Sequence, residues 1–315
     1  MNAVYTAEFC YPTAEGNVGD DVELPCTDGD ERPVDPRNTL NDLSGKEWLP
    51  ETKSYFFQKG LGAKHPHAQI ERQHPAPFSF QDIQRLVSFF TKQGQTVLDP
   101  FAGVGSTAKA CALLGRRSIN IELTPRWHQL ARARLETEVA EGACVGHEFL
   151  LGDCRDALKK LQKDSLDFVV TSPPYWSILN KDPDHKAIQR VREGLALSYS
   201  EDERDLGNVA SYVAFLDELV SVFRACGRVL KPKGYMALVV ADFRHESKFY
   251  AFHSDLIQRL DGATTDAKHC LALQGIKILL QNHKGLKPYG YPFAYVENIH
   301  HHYILIFRKT KGKAR

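Results

Sequence analysis

The hexapeptide Thr171-Ser172-Pro173-Pro174-Tyr175-Trp176 carries more chemistry than any other stretch of this chain. It follows an apolar run, Leu166-Asp167-Phe168-Val169-Val170, that is patterned as a strand. Two adjacent prolines fix the backbone and remove two N–H donors, so the carbonyls there stay free to accept hydrogen bonds. Ser172 adds a hydroxyl and Tyr175 a flat face. The set suits a planar ring bearing an exocyclic amine, as in a nucleobase. Taken alone, it also describes a rigid strand-end turn with a packed aromatic.

Three upstream strand ends bear on that choice. Thr96-Val97-Leu98-Asp99 ends in an acid and runs into Pro100-Phe101-Ala102-Gly103-Val104-Gly105-Ser106-Thr107. Gly103 and Gly105 let the backbone approach a ligand closely. Ala108 departs from the full dinucleotide fingerprint, and the pattern predicts a helix over 108–114. Ser118–Glu122 reads as a second strand, ending in a carboxylate that can accept from ribose hydroxyls. A helix is expected over 125–140. Glu148–Asp153 reads as a third strand, its acid placed for an adenine amino group. An alternating β/α run thus delivers polar residues at the carboxyl ends of its strands, the edge where open parallel sheets bind ligands.

Together these segments resemble the DNA amino-methyltransferases, which use S-adenosylmethionine to methylate N4 of cytosine or N6 of adenine. The resemblance implies an α/β, Rossmann-like S-adenosylmethionine-dependent methyltransferase fold, mostly parallel, with an antiparallel strand near the C-terminus. It covers about residues 40 to 309, and its motif order is that of the gamma class. By this resemblance the cofactor is held by Asp99, Pro100, Phe101, Ala102, Gly103, Gly105, Ser106, Thr107, Glu122, Asp153, Cys154 and Thr171. Ser172, Pro173, Pro174 and Tyr175 match the catalytic motif. His74-Pro75-Ala76-Pro77-Phe78, with a helix over 80–92, resembles the cofactor-flanking motif but departs from its commoner Thr-Gln-Lys-Pro form.

The chemistry explains the motif. An exocyclic amine conjugated to its ring is a poor nucleophile. Acceptors on its two N–H groups, here Ser172 and the Pro173 carbonyl, favour a pyramidal nitrogen aimed at the sulfonium methyl. Tyr175 would stack on the base, which must leave the duplex to reach the pocket. A neutral Ser172 can donate to cytosine N3 as well as accept, which an ionised Asp cannot. Relatives with Ser at this position mostly act on cytosine N4, so cytosine is expected and adenine N6 is the alternative. An RNA amino-methyltransferase and a non-catalytic DNA-binding relative are more distant readings. Methylation at cytosine C5 needs a thiolate, and the chain's single Pro-Cys pair, Pro25-Cys26, lies far from the motifs.

Charge is unevenly spread. The net charge is +1, yet residues 1–36 hold nine acids and one basic residue, Arg32. The remainder, with 39 Lys and Arg against 30 Asp and Glu, suits a polyanion such as double-stranded DNA. The expected organisation is an acidic, solvated arm over 1–36 and a catalytic domain over 37–315, with DNA-recognition insertions near 177–207 and 243–302. No apolar run approaches the roughly 20 residues that span a bilayer. No signal-peptide pattern opens the chain. Seven scattered cysteines without a CxxC pair point to reduced thiols in a cytoplasmic setting, bacterial or phage-encoded, with no metal site. A separate cognate restriction endonuclease would be a natural companion, and oligomeric state is left open.

Two segments are candidates for DNA contact. Ile178–Gly207 is too long and polar for a plain connector and carries Lys181, Arg190 and Arg192 just after Trp176. Trp176 would extend the stacking surface or serve as a hydrophobic anchor. Asn282–Tyr295 interleaves Lys284, Lys287 and Tyr289 with further aromatics, for DNA contact or for a hairpin packed on the sheet. A helix over 209–230 should bury Val213, Leu216, Val220 and Phe223. Strands are expected over 235–241, 271–281 and 303–307. Asp242 should cap a turn. His300, His301 and His302 alternate faces and cannot share a metal, so they are structural or DNA-facing.

Overall fold

The computed structural model describes residues 33–58, 65–75, 78–176, 200 and 202–312. The chain divides into two units, Met1–Pro33 and Val34–Arg315, and the description below concerns the second. Lys181, Arg190 and Arg192, and nearly all of the expected acidic arm, lie outside the described residues.

The strands are β1 (Tyr55–Phe57), β2 (Thr96–Asp99), β3 (Arg117–Glu122), β4 (His147–Leu151), β5 (Leu166–Thr171) and β6 (Leu230–Val240). They are followed by β7 (Phe243–His245), β8 (Lys248–Tyr250), β9 (His269–Leu280) and β10 (His301–Lys311). Strands β2 to β6, β9 and β10 form where the apolar patterns predicted them, and three short ones, β1, β7 and β8, join them without having been expected. Eight of them form one sheet in the order β1-β9-β10-β6-β5-β2-β3-β4, and β7 and β8 pair separately. β6, β5, β2, β3 and β4 are mutually parallel, while β10 runs antiparallel to both β6 and β9. This is the mostly parallel sheet with a late antiparallel strand that the motifs implied.

The central strands are buried on both faces. In β5, Phe168 and Val170 pack with Ile83, Leu86 and Val87 of α2 (Phe80–Phe90), the helix that follows α1 (Gly45–Glu51). Val169, between them, points the other way onto Leu219, Val222 and Phe223 of α6 (Tyr212–Val229). Strict alternation of side chains across the sheet forces this split, and burial on both faces is why β5 reads as a nearly unbroken apolar run. α6 turns a different stripe to the core than its sequence suggested. Val213 is exposed, and the buried face is Phe215, Leu216, Leu219, Val222, Phe223 and Cys226.

Chain order sets the ligand edge. From β2 the chain moves outward through α3 (Ser106–Leu113), β3, α4 (Pro125–Glu138), β4 and α5 (Cys154–Lys160). It then crosses to the other side of β2 to form β5 and β6. The strand order reverses between β2 and β5, and a crevice opens there at the carboxyl ends. α3 starts two residues earlier than predicted because Gly105, at φ +74°, turns the chain directly into the helix. Among the described residues no helix is long and apolar enough to cross a membrane.

Candidate active site

The crevice at the β2/β5 reversal is a cleft enclosing about 930 Å³, open solvent at its mouth included. That is the size range of small-molecule sites. Its floor is the β2 end and the loop after it: Asp99, Pro100, Phe101, Ala102, Gly103 and Ser106. Glu122 enters from β3, Asp153 and Cys154 from the start of α5, and Ser172, Pro173 and Pro174 from β5. Segments that the sequence tied only by order therefore meet along one edge.

Three of the expected cofactor residues, Gly105, Thr107 and Thr171, stand behind this wall. Asp99 is almost wholly buried. Its Oδ2 accepts from Thr107 Oγ1 at 2.5 Å, and its Oδ1 accepts from Thr171 Oγ1 at 2.6 Å and from the Phe101 N–H at 3.1 Å. Burial pushes its carboxyl above the usual range, and these donors pull the other way. Thr107 and Thr171 are thus spent on Asp99 and do not line the cleft. Their bonds pin α3 and β5 to the β2 end. Gly105 is also absent from the lining, because a Cβ there would sit 2.8 Å from the Ala131 Cβ in α4. Its lack of a side chain serves helix packing.

Glu122 is the acid best presented to a ligand. Its Oε2 accepts from the Gly103 N–H and its Oε1 from the Thr124 N–H, both at 2.8 Å. Burial pushes its carboxyl up to about 7, against those two bonds. Asp153 has a different environment. It caps α5 by accepting from the Arg155 N–H at 2.8 Å, and Arg155 Nη2 lies 2.6 Å from its Oδ2. Burial raises its carboxyl, but the Arg155 bonds and charge outweigh burial and hold it below its usual value. Much of its hydrogen-bonding capacity therefore goes to Arg155. The Cys154 thiol is pushed up to about 12, chiefly by burial, so it stays a neutral part of the wall.

At the Thr171–Trp176 hexapeptide the structure separates residues that the sequence grouped. Ser172, Pro173 and Pro174 face the cleft, and Tyr175 does not line it. The Tyr175 ring packs against Phe243 and Phe252 at centroid distances of 6.3 and 6.1 Å. Its hydroxyl meets the Ser172 side chain and the Ala241 backbone, and burial pushes its ionisation well above the usual phenol range. The packed-aromatic alternative describes Tyr175 as it stands. Trp176 is likewise an anchor. Its Nε1 donates to the Val209 carbonyl at 2.8 Å, and its ring packs among Tyr212, His245 and Tyr250.

Several wall residues were given no individual role by the sequence. His74 and Phe78, the described ends of the flanking motif, line the cleft, as do Trp127, Arg204, Asp205 and Leu206. His74 covers the glycine turn, with its Nε2 3.3 Å from where a Gly103 Cβ would lie, and meets the Trp127 ring at 5.1 Å. Arg155 reaches the Arg204 carbonyl at 3.0 Å and so ties the strand-end acid Asp153 to this wall. Asp205 accepts from the Gly207 N–H at 2.9 Å, and burial pushes its carboxyl up. The available signal is the polar stretch ending at Gly207, whose length exceeds that of a plain connector without singling out its last residues.

A buried charge network supports the wall. Arg134 and Lys109 have fully buried side chains. Arg134 reaches Glu71 at 2.6 Å, Glu138 at 2.9 Å, Ser106 Oγ at 2.9 Å and the Val104 carbonyl at 3.3 Å. Lys109 Nζ bonds Glu138 at 2.6 Å and His67 Nδ1 at 2.9 Å. One guanidinium therefore ties the segment preceding His74 to the glycine loop. Asp242 behaves as a cap: it accepts from the His253 N–H at 3.1 Å in the first turn of α7 (Phe252–Leu260) and from His253 Nδ1 at 2.7 Å.

The remaining DNA-contact candidates fall on the β9–β10 connection. Tyr289 is exposed, and Tyr291, Phe293 and Tyr295 beside it are more so, which removes the alternative of a hairpin packed on the sheet. His302 is held down to about 3, by desolvation first and then by the Lys284 charge, and His301 packs edge-on against Tyr303 at 4.8 Å.

Comparison with known proteins gives the family. A family model described as DNA methylase matches residues 13–133 and 166–314. Type II methyltransferase M.MjaI of Methanocaldococcus jannaschii is 33% identical over 125 residues, which is 39% of this chain and 40% of that one. Putative methylase YubD of Escherichia coli is 44% identical over 64 residues, 20% and 28% of the two chains. Type II methyltransferase M.BglI of Bacillus subtilis is 35% identical over 97 residues, 31% and 26%. The matched regions thus span less than half the length of these curated relatives. Among solved structures, a putative DNA modification methylase from Thermus thermophilus, complexed with S-adenosyl-L-methionine, is 27% identical. That likeness covers 51% of this chain and 54% of that one, at a TM-score of 0.33.

Proposed function

From the DNA methylase family, to which this chain belongs, we propose an enzyme that methylates the exocyclic N4 amine of cytosine in duplex DNA at a specific sequence. The observation that carries this reading is the shared cleft. Ser172 and Pro173 at the β5 end open into the same space as Gly103 and Glu122. S-adenosylmethionine, the methyl donor of such enzymes, supplies an electrophilic methyl on a sulfonium. The cleft fits it by size, by a glycine turn that lines it at Gly103, and by a strand-end carboxylate at Glu122 able to accept from ribose hydroxyls.

The chain's own residues then do the following. Glu122, held by the Gly103 and Thr124 N–H groups, orients the sugar. His74 closes over the glycine turn and, with Phe78 and Trp127 in the wall, excludes water. The Ser172 hydroxyl and the Pro173 carbonyl accept from the target amine and direct its lone pair into the cleft. Pro174 and the packed Tyr175 keep that turn rigid, so the acceptors need little reorganisation. The base reaches them by leaving the duplex. Ser172, which can donate to cytosine N3 while accepting from the amine, is what favours cytosine over adenine N6.

Incubating the protein with labelled cofactor and mixed-sequence duplex DNA tests the reading. Labelled N4-methylcytosine in the digested product is expected. N6-methyladenine would correct the base, and no transfer to any duplex, with cofactor bound, would refute the function. Methylation-sensitive sequencing of DNA from expressing cells then gives the recognised site.

A further inference from the structure

The connection between β9 and β10, residues 281–300, carries a feature that cofactor binding and methyl transfer leave unused. Phe293 is 93% exposed, Tyr295 84% and Tyr291 81%. Water disfavours such a cluster, and contiguous exposed apolar groups mark interaction sites.

The loop is built to hold those rings out. At its base the Gln281 N–H donates to the His300 carbonyl at 2.8 Å. Above that, Lys287 and Asn298 exchange two hydrogen bonds, each of 2.9 Å, and close a neck. At the tip the Phe293 and Ala294 N–H groups both donate to the Gly290 carbonyl at 2.7 Å. Gly290 sits at φ +74° against the Ala294 carbonyl, where a side chain would collide. The tip therefore has its own internal bonding and presents its aromatics on a braced turn.

Topology puts this tip on the ligand edge. β10 runs opposite to β6, with Tyr303 opposite Val240, so the connection leaves β9 and enters β10 at the carboxyl end of β6. β6 is the neighbour of β5, whose end carries Ser172. At the loop's foot the Tyr303 ring stacks on His253 at 3.8 Å, and His253 is held by Asp242. The neck carries Lys284 and Lys287, against a single acid, Glu297, in residues 281–300. An aromatic tip on a basic neck has the polarity of a duplex: apolar stacked bases inside, phosphates outside.

We propose that Phe293 enters the base stack of duplex DNA as a wedge and fills the space left when the target nucleotide swings into the cleft. The Lys284 and Lys287 ammonium groups lie along the flanking phosphates, and Tyr291 and Tyr295 border the inserted ring. The inference rests on the duplex-DNA reading above and adds the residue that holds the extruded state open. Aromatic rings stack on any base, so the wedge is indifferent to sequence, and recognition falls to other side chains.

The test uses a duplex carrying the recognised site, with its target base either paired or mismatched, and the full-length wild-type, Phe293→Ala and Phe293→Trp proteins. Phe293→Ala should melt like wild type, since the ring touches little of the fold. On the paired duplex it should methylate roughly tenfold to a hundredfold more slowly, because a paired, stacked base resists extrusion. On the mismatched duplex, where extrusion is easier, most of that loss should return. Phe293→Trp should retain activity, and its added emission should be quenched on binding the duplex. An alanine variant as fast as wild type on the paired duplex would overturn the wedge. So would a loss that the mismatch leaves in place, which would make the tip an ordinary surface contact. Wild-type protein that methylates neither duplex would instead remove the underlying DNA reading, and the wedge with it.

Discussion

Lowering the pH from about 8 to about 6 should weaken cofactor binding roughly tenfold through one carboxyl group, Glu122. Burial pushes this group up to about 7, against the Gly103 and Thr124 N–H donors that favour its charged form. Ribose hydroxyls donate, so they select the ionised carboxylate. Below its ionisation point a proton must leave before the sugar can bind, and each pH unit below costs a further factor of about ten. Above it the affinity is flat. Calorimetry at several pH values, in two buffers of different ionisation enthalpy, reads both quantities. Near pH 6 about one proton should be released per cofactor bound, and near pH 8 almost none. Glu122→Gln is neutral throughout, so it should bind more weakly at pH 8 and lose most of the slope. The other cleft groups that titrate are separable by the same variant. Asp153 is held low by Arg155 and stays charged in this range. The stability of the cofactor-free protein should follow the opposite course. A carboxyl raised in the folded state favours folding at low pH, and that contribution fades as pH rises through about 7. Wild-type affinity that does not change between pH 6 and 8, or an unaltered profile in Glu122→Gln, refutes the assignment of Glu122 to the ribose.

Further expectations follow from the same geometry. Ser172→Ala should bind cofactor within about twofold of wild type yet transfer methyl about a hundredfold more slowly, the usual loss for a preset polar contact; a wild-type rate would remove Ser172 from catalysis. Gly105→Ala forces a side chain at φ +74° to within 2.8 Å of the Ala131 Cβ, whereas Gly142→Ala has a similar φ of +77° and open space. Both incur left-handed strain of about 1–2 kcal/mol, so thermal melts should show a markedly larger loss for the first. Arg134→Met strands Glu71 and Glu138 without their shared partner and should cost about 3–5 kcal/mol. The milder Glu71→Gln should raise KM for the cofactor while changing kcat little, because it loosens the segment that carries His74. Equal effects on both constants would reduce this network to general stability.

Much of the site was legible because local chemistry writes strand ends plainly. Apolar runs mark β2 and β5 and apolar alternation marks β3, an acid or a Ser-Pro-Pro turn ends each, and glycines at 103 and 105 mark a chain reversal that other residues resist. Those signals depend on neighbours in sequence, so they survive without a structure. The resemblance they carry also predicted the sheet's parallel character and its late antiparallel strand.

What tertiary structure decided was where each polar atom spends its hydrogen bonds. Thr171 lies 72 residues from Asp99 and Thr107 lies 8 away, yet both are consumed by that one carboxylate, so neither is free for a ligand. Gly105 answers to Ala131 in another helix. Tyr175 and Trp176, alike in sequence to stacking residues, are drawn into an aromatic cluster with Phe243, Tyr212 and Tyr250. Val213 keeps helical spacing with the core face of α6 but falls outside its buried stripe, because the direction of burial is set by the sheet beneath the helix. Arg134, indistinguishable in the sequence from its solvated neighbours, is the guanidinium on which the glycine loop rests. Spacing along the chain proposes which groups can reach an edge. Only packing, through distances between residues far apart in sequence, settles which of them face a ligand and which face one another.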